Sequence, residues 1–193
     1  MTGALSLILG GARSGKSRYG ETLVQKGASQ AVDTKPTLIA TAQAWDQEMA
    51  DRIARHKADR GVGWHSIEEP LDLLSALKSA DQPGAHVLVD CLTLWLTNLM
   101  CVPPDSLIDI DSKIAELAAW RPQAAAHVVF VSNEIGLGIV PDNAMARAFR
   151  DHAGRLHQSL AASADHVVLM VAGLPMAVKG ALPHEAINVG QTG

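Results

Sequence analysis

Residues 4–17 read Ala-Leu-Ser-Leu-Ile-Leu-Gly-Gly-Ala-Arg-Ser-Gly-Lys-Ser. Ala4 to Leu9 is a short, continuous apolar run stopped by two glycines, which reads as a buried strand entering a tight loop. The stretch Gly10-Gly11-Ala12-Arg13-Ser14-Gly15-Lys16-Ser17 fits the pattern GxxxxGK[ST], and a helix is expected to begin near Lys16. In that setting the glycines let the backbone curl until successive N–H groups face a phosphate, and the helix N-terminus adds positive potential. Lys16 then reaches the β and γ phosphates, and the Ser17 hydroxyl ligates magnesium. The alternative is a glycine-rich turn before an ordinary helix, but chance matches rarely fall on a strand-to-helix junction.

Outward from this loop, strands and helices alternate. Thr37 to Ala42 reads as a strand, and Asp46 can cap a helix carrying Met49, Ile53 and His56 that ends near Gly61. Trp64 to Ile67 reads as a short strand, Pro70 opens a helix through Leu71, Leu74 and Leu77, and His86 to Val89 is a strand ending in Asp90. Leu92 to Met100 is an apolar helix, the Pro103-Pro104 pair breaks the chain, and Leu107 to Trp120 is an amphipathic helix before the strand Val128 to Ser132. From Asp142 the apolar residues Met145, Phe149, Ala153, Leu156 and Leu160 keep a helical period, and Val167 to Ala172 reads as the last buried strand. This order predicts an α/β fold of the P-loop NTPase, RecA-like type: a mostly parallel sheet flanked by helices in three layers. Residues 1–180 read as a single nucleotide-binding catalytic domain and 181–193 as a flexible C-terminal tail.

The bulk composition agrees with a globular enzyme. In 193 residues, 48% are hydrophobic and 19% charged, which excludes a disordered polyampholyte. A formal charge of -4 gives no broad positive field, so nucleic acid and anionic membranes are not expected partners. Cys91 and Cys101 lack metal spacing and suit reduced thiols in the cytoplasm. The first apolar run is too short for a signal core or a membrane span.

Two further features bear on chemistry. Asp90, closing the strand Val87-Leu88-Val89, is placed either to cap the next helix or to hold magnesium beside Ser17. Arg52, His56 and Arg60 stand four residues apart and share one helical face. That face is either solvated, or it meets a triphosphate, where a neutral imidazole can attack an α-phosphate while guanidinium groups neutralise the charge.

Taken together these residues resemble the bifunctional adenosylcobinamide kinase and adenosylcobinamide-phosphate guanylyltransferase family of cobalamin synthesis. The likeness runs through Gly10 to Ser17, Ala40-Thr41-Ala42, Glu48-Met49, Arg52-Ile53, His56, Arg60, Trp64 and Glu68 to Pro70. It continues through Asp90 to Thr93, Asn98-Leu99, Ser132-Asn133-Glu134 to Pro141, Phe149 to Asp151 and Ala172 to Pro175. It implies phosphorylation of a cobinamide hydroxyl by ATP or GTP, then transfer of GMP from GTP to that phosphate, with Mg2+ as the metal. By resemblance, His56 is the residue that carries GMP and Lys16 the catalytic lysine of the loop. Arg52, Lys57, Ala58, Asp59, Arg60, Glu68 and Asp90 join the Gly10–Ser17 loop and Ala40–Ala42 as nucleotide-contacting positions. Ser17 and Asp90 are the metal ligands. Glu68 has a chemical rationale, since a carboxylate accepts both the N1–H and the 2-amino donors of guanine, though neighbouring Glu69 competes for the role. The family likeness also implies a homotrimer. Asn133, Glu134, Gly136 and Gly138 read either as a substrate-side loop at the carboxyl edge of the sheet or as a glycine-rich turn with one exposed acid, Glu134, which is not counted as catalytic. The segment Ala28 to Lys35 reads as a lengthened loop after the first helix, and neither it nor 181–193 receives a role by likeness.

A regulatory GTPase fits poorly, because the sequence has no NKxD motif and its one plausible DxxG, Asp151 to Gly154, falls within an amphipathic helix. A metabolite kinase without guanylyl transfer remains the nearer alternative, and an ATP-driven motor the remoter one.

Overall fold

The computed structural model describes residues 3–31, 34–44, 47, 51, 54, 63–103, 106, 108–120 and 124–182. In chain order the elements are β1 (Leu5–Gly10), α1 (Lys16–Gln30), β2 (Thr37–Ala40), β3 (His65–Glu68), α2 (Leu73–Ala80), β4 (His86–Asp90) and α3 (Leu92–Met100). They continue as α4 (Ile110–Trp120), β5 (His127–Asn133), α5 (Ala144–Ser163), β6 (His166–Val171) and β7 (Leu174–Lys179). The strands form one seven-stranded sheet in the order β3-β2-β4-β5-β1-β6-β7. Every neighbouring pair is parallel except β6 with β7.

Strand alternation sorts the core into two layers. Leu5, Leu7, Val87, Val89, Val128 and Phe130 face Leu77 of α2, Leu92 and Trp95 of α3, Leu117 of α4 and Leu156 and Leu160 of α5. Their neighbours Ile8, Leu88, Val129, Val131, Val168 and Met170 face Tyr19, Leu23 and Val24 of α1. Each fully buried aliphatic or aromatic side chain contributes about 1.5–3 kcal/mol. Sandwiching the sheet in this way is what makes its central strands apolar throughout rather than alternating.

Helix α1 lies close upon the sheet. A Cβ at Gly27 would fall 2.3 Å from the His86 ring, so only glycine permits that approach. The His86 ring stacks on His127 with centroids 4.7 Å apart, and His127 Nδ1 accepts the Ala4 N–H at 3.1 Å. These contacts fasten α1, β4, β5 and the start of β1 at the amino edge of the sheet.

Several element boundaries differ from those read in the sequence, and side-chain capping explains most of them. Helix α2 starts at Leu73 rather than at Pro70, because Asp72 is its N-cap and accepts from the Ser75 N–H at 3.3 Å. Helix α4 starts at Ile110 rather than Leu107, where Asp109 Oδ1 accepts from Asp111 and Ser112. Helix α5 is capped by Asn143. Ala28 to Gln30 belong to the last turn of α1, not to a loop, and Ala28 is buried. Strand β6 is not the last strand: Ala172 (φ 52°) and Gly173 (φ 82°) make a two-residue hairpin turn into β7. Of the helix expected after Asp46, only Gln47, Asp51 and Ala54 are described, all three helical; Met49, Ile53 and His56 lie outside the described residues, as does 183–193.

Candidate active site

The carboxyl ends of β1, β2, β3, β4 and β5 converge on one edge of the sheet, where α/β proteins place their ligands. β1 delivers Gly10 to Gly15, and α1 opens with Gly15 (φ 92°) as its N-cap and no side-chain cap, leaving its first N–H groups directed at the loop. Arg13 is also left-handed (φ 55°), so the backbone between them curls into an anion-receiving concavity. Lys16 is buried, and its Nζ donates to the Gly11 carbonyl and, at 3.4 Å, to Ser14 Oγ. Its ammonium thus lies over its own loop. The loop is pinned on two sides: the Glu134 N–H donates to the Gly10 carbonyl at 2.9 Å and the Gly173 N–H to the Ser14 carbonyl at 3.2 Å.

Strand register positions the acids. Ala40 pairs with Glu68 on one side and Asp90 on the other, which sets the three strand ends in one row. Alternation turns Asp90 to the face shared by Leu88 and α1, the face from which Ser17 emerges. Glu68 is exposed at the end of β3. Glu69 is engaged otherwise, its Oε1 accepting from the Leu71 and Asp72 N–H groups at 2.9 and 2.8 Å, so the role of turn-capping acid falls to Glu69.

A buried polar belt links these strand ends. The Thr41 hydroxyl accepts from the Cys91 N–H at 3.0 Å and donates to the Cys91 carbonyl at 2.7 Å. Cys91 Sγ lies 3.1 Å from Thr93 Oγ1, which accepts from Asn133 Nδ2 at 3.0 Å. Asn98 Nδ2 donates to the carbonyls of Thr41 and Pro70 at 2.7 and 3.1 Å. Burial, aided by the Asp90 charge, pushes the Cys91 thiol up, which keeps it protonated and unreactive. Beneath Gly10, Ser132 Oγ and His157 Nε2 are 2.7 Å apart. Burial lowers the His157 pKa, with the Glu134 charge acting in the opposite direction.

A loop of this kind between β1 and α1 suits the binding of phosphates, and the sequence profile of the family described as cobinamide kinase / cobinamide phosphate guanyltransferase matches residues 6–178. The chain belongs to that family. The bifunctional adenosylcobalamin biosynthesis protein CobP of Pseudomonas aeruginosa is 46% identical over 175 residues, spanning 90% of this chain and 96% of the relative. The protein CobU of Escherichia coli is 40% identical over 184 residues, spanning 90% and 98%. A solved structure from Pyrococcus horikoshii OT3 superposes with a TM-score of 0.50 at 9% identity, covering 93% of this chain and 87% of that one, and so shares the fold alone.

For this member of the cobinamide kinase family, the structure brings together Gly10 to Ser17, Ala40 to Ala42, Glu68 and Asp90 along one sheet edge. Arg52, His56, Lys57, Ala58, Asp59 and Arg60 lie outside the described residues. Thr93 and Asn98, which the likeness includes without a role, belong to the buried polar belt behind these strand ends. Their signal was polarity within the otherwise apolar run Leu92 to Met100, since a buried helix's lone amide must find partners. An open depression of about 500 Å3 lies between Thr37, His65 and Ala85 at the opposite, amino edge and contains none of the phosphate-handling residues.

Proposed function

We propose that this chain catalyses both reactions of its family, phosphorylating adenosylcobinamide and then transferring GMP from GTP to the product. The observation that carries this reading is the uncapped start of α1 with buried Lys16 over the loop, in a chain whose family match runs from residue 6 to 178. In the kinase step the cobinamide hydroxyl attacks the γ-phosphorus and gives up its proton to solvent, the bond to the bridging oxygen breaks, and the nucleoside diphosphate leaves. The loop N–H groups and Lys16 neutralise the charge that builds on the phosphoryl oxygens.

In the second reaction a His56 ring nitrogen attacks the α-phosphorus of GTP, a P–N bond forms and pyrophosphate departs. A phosphate oxygen of adenosylcobinamide phosphate then attacks the same phosphorus, releasing His56 and giving adenosylcobinamide-GDP. Arg52, Lys57, Ala58, Asp59 and Arg60 are assigned to the triphosphate, and Glu68 to the guanine edge. Ser17 and Asp90 offer hard oxygen donors on one face, a set that suits Mg2+ held jointly with nucleotide phosphates. When bound, the ion would offset charge on the β and γ oxygens.

The corrinoid is assigned to the loop Glu134 to Pro141. Its root is bonded to Gly10, and it presents Leu137, Ile139 and Val140 at 85%, 96% and 60% exposure. A trimer is part of the proposal, supported by the exposed Leu174, Met176 and Val178, which alternate along β7. So is a cytoplasmic location; among the described residues no helix is long and apolar enough to cross a membrane.

Incubation with α-labelled GTP tests the histidine. An acid-labile GMP adduct is expected on His56, and His56→Ala is expected to lose it while still phosphorylating cobinamide. An adduct that persists in His56→Ala overturns the assignment, and a wild-type protein that binds GTP without forming adduct leaves a kinase alone.

A further inference from the structure

We infer that Asn98 is the positioning residue for the guanine-recognition edge of the pocket, an inference that rests on the assignment of Glu68 to the base. Asn98 sits on α3 at 2% exposure, among apolar neighbours. It donates to two carbonyls in two different segments: Thr41, one residue past β2, and Pro70, two residues past β3. Both partners are acceptors, so the amide nitrogen must face them, and a buried donor pair of this kind has a fixed orientation.

The two segments it joins are the ones that follow the paired residues Ala40 and Glu68. Above that last rung of the parallel ladder the Glu69 N–H still donates to the Ala40 carbonyl at 3.0 Å, and beyond it Asn98 holds the chains together. The Thr41 end is in turn fastened to Cys91 through the threonine hydroxyl. Asn98 thus adds to the ladder a clamp just past its last rung, between the β2 end, which adjoins Asp90, and the segment that carries the Glu68 carboxylate. A base recognised by two hydrogen bonds tolerates little displacement of the acceptor, because misaligned bonds weaken steeply.

The local fold has other supports. Trp95 Nε1, one turn earlier on the same helix, donates to the Leu71 carbonyl at 2.9 Å, and the Glu69 carboxylate caps the turn into α2. Removing the Asn98 amide is thus expected to loosen the position of Glu68 without dismantling the segment.

The test measures kcat/KM for formation of the covalent nucleotide adduct with GTP and with ITP, which lacks the 2-amino donor. Asn98→Ala is expected to lower the GTP-over-ITP preference about tenfold, chiefly through a raised KM for GTP. A merely structural role would scale both nucleotides alike, and that result overturns the inference. Glu68→Ala, measured in parallel, reports on the base assignment by itself. If Glu68→Ala alone loses the preference, the assignment stands and the inference falls. If Asn98→Ala alone loses it, Asn98 positions a base contact other than Glu68. If neither changes it, both fall. Where both lose it, the double variant should be no worse than Glu68→Ala, as expected for a residue acting through Glu68. Should Asn98→Ala fail to fold, Asn98→Ser, which leaves a hydroxyl donor in the space, supplies the same ratio.

Discussion

The loop that follows β1 and the loop that follows β5 leave the same edge of the sheet from adjacent strands, yet they are built in opposite ways. The first, Gly10 to Gly15, turns polar backbone inward, buries its lysine and is tied down by Glu134 and Gly173. The second, Glu134 to Asp142, turns Leu137, Ile139 and Val140 outward into solvent. On the proposed assignment of the two loops, the difference lets one edge serve a reaction between two dissimilar substrates. The triphosphate needs fixed dipoles in place before it arrives, since electrostatic stabilisation depends on donors that do not reorganise. A large, partly apolar substrate needs accessible hydrophobic surface whose covering releases water.

The comparison breaks most visibly at Lys16. Lys16→Ala should lower kcat for phosphorylation by about 10²–10³, the loss seen when one preorganised charge-stabilising donor is removed. Adduct formation from GTP should fall with it, while a melting curve shows whether the fold tolerates loss of the contacts to the Gly11 carbonyl and Ser14 Oγ. Steady-state kinetics and a melting curve decide this; a kcat within a few-fold of wild type would mean that the loop is not the phosphate site.

The apolar loop should respond in KM rather than kcat. Replacing Leu137 and Ile139 together by Ser removes two exposed aliphatic side chains, and corrinoid KM should rise about tenfold or more if each contributes even half of the usual burial energy. Adduct formation from GTP, which needs no corrinoid, should keep its rate. An unchanged corrinoid KM together with dissociation of an oligomer on sizing would assign Leu137 and Ile139 to a subunit contact instead.

The two loops also differ in how much of them the sequence disclosed. The β1 loop was legible because strand, glycines, lysine and helix start are contiguous, and the same holds for α3 and α5, whose apolar periods are long. Strand β7 was not. Pro175 disqualifies it as a central strand, although an edge position admits proline, and Ala172 stands where hairpin turns usually carry Asn, Asp or Gly. The capping of the α2 turn by Glu69 was equally invisible, since it depends on which carboxylate meets the Leu71 and Asp72 N–H groups. Asn98 could be noticed as a polar residue in an apolar helix, but its two partners, 57 and 28 residues away, exist only once β2 and β3 are paired.

The smallest effect belongs to the pair beneath both loops, Ser132 and His157. Ser132 is paired with Leu9 of β1 and lies two residues before Glu134, so it underlies the roots of both loops. Burial holds the His157 pKa below its ordinary value, which means that the folded protein prefers the neutral ring. The unfolded chain therefore binds the extra proton first as pH falls. The stability contributed by neutral His157 is complete above the unfolded pKa of about 6.5 and is lost as pH drops through the folded value. His157→Gln keeps a partner for Ser132 but cannot titrate. At pH 8 it should be less stable than wild type by about 1 kcal/mol, the usual worth of an altered buried hydrogen bond. The gap should narrow steadily below about pH 6.5, where only the wild type pays for protonation. Denaturant midpoints measured for both proteins from pH 8 to pH 5 give the two curves. If they run parallel across that range, His157 is not held neutral by the fold, and the polar pair under the loops has no pH dependence of its own.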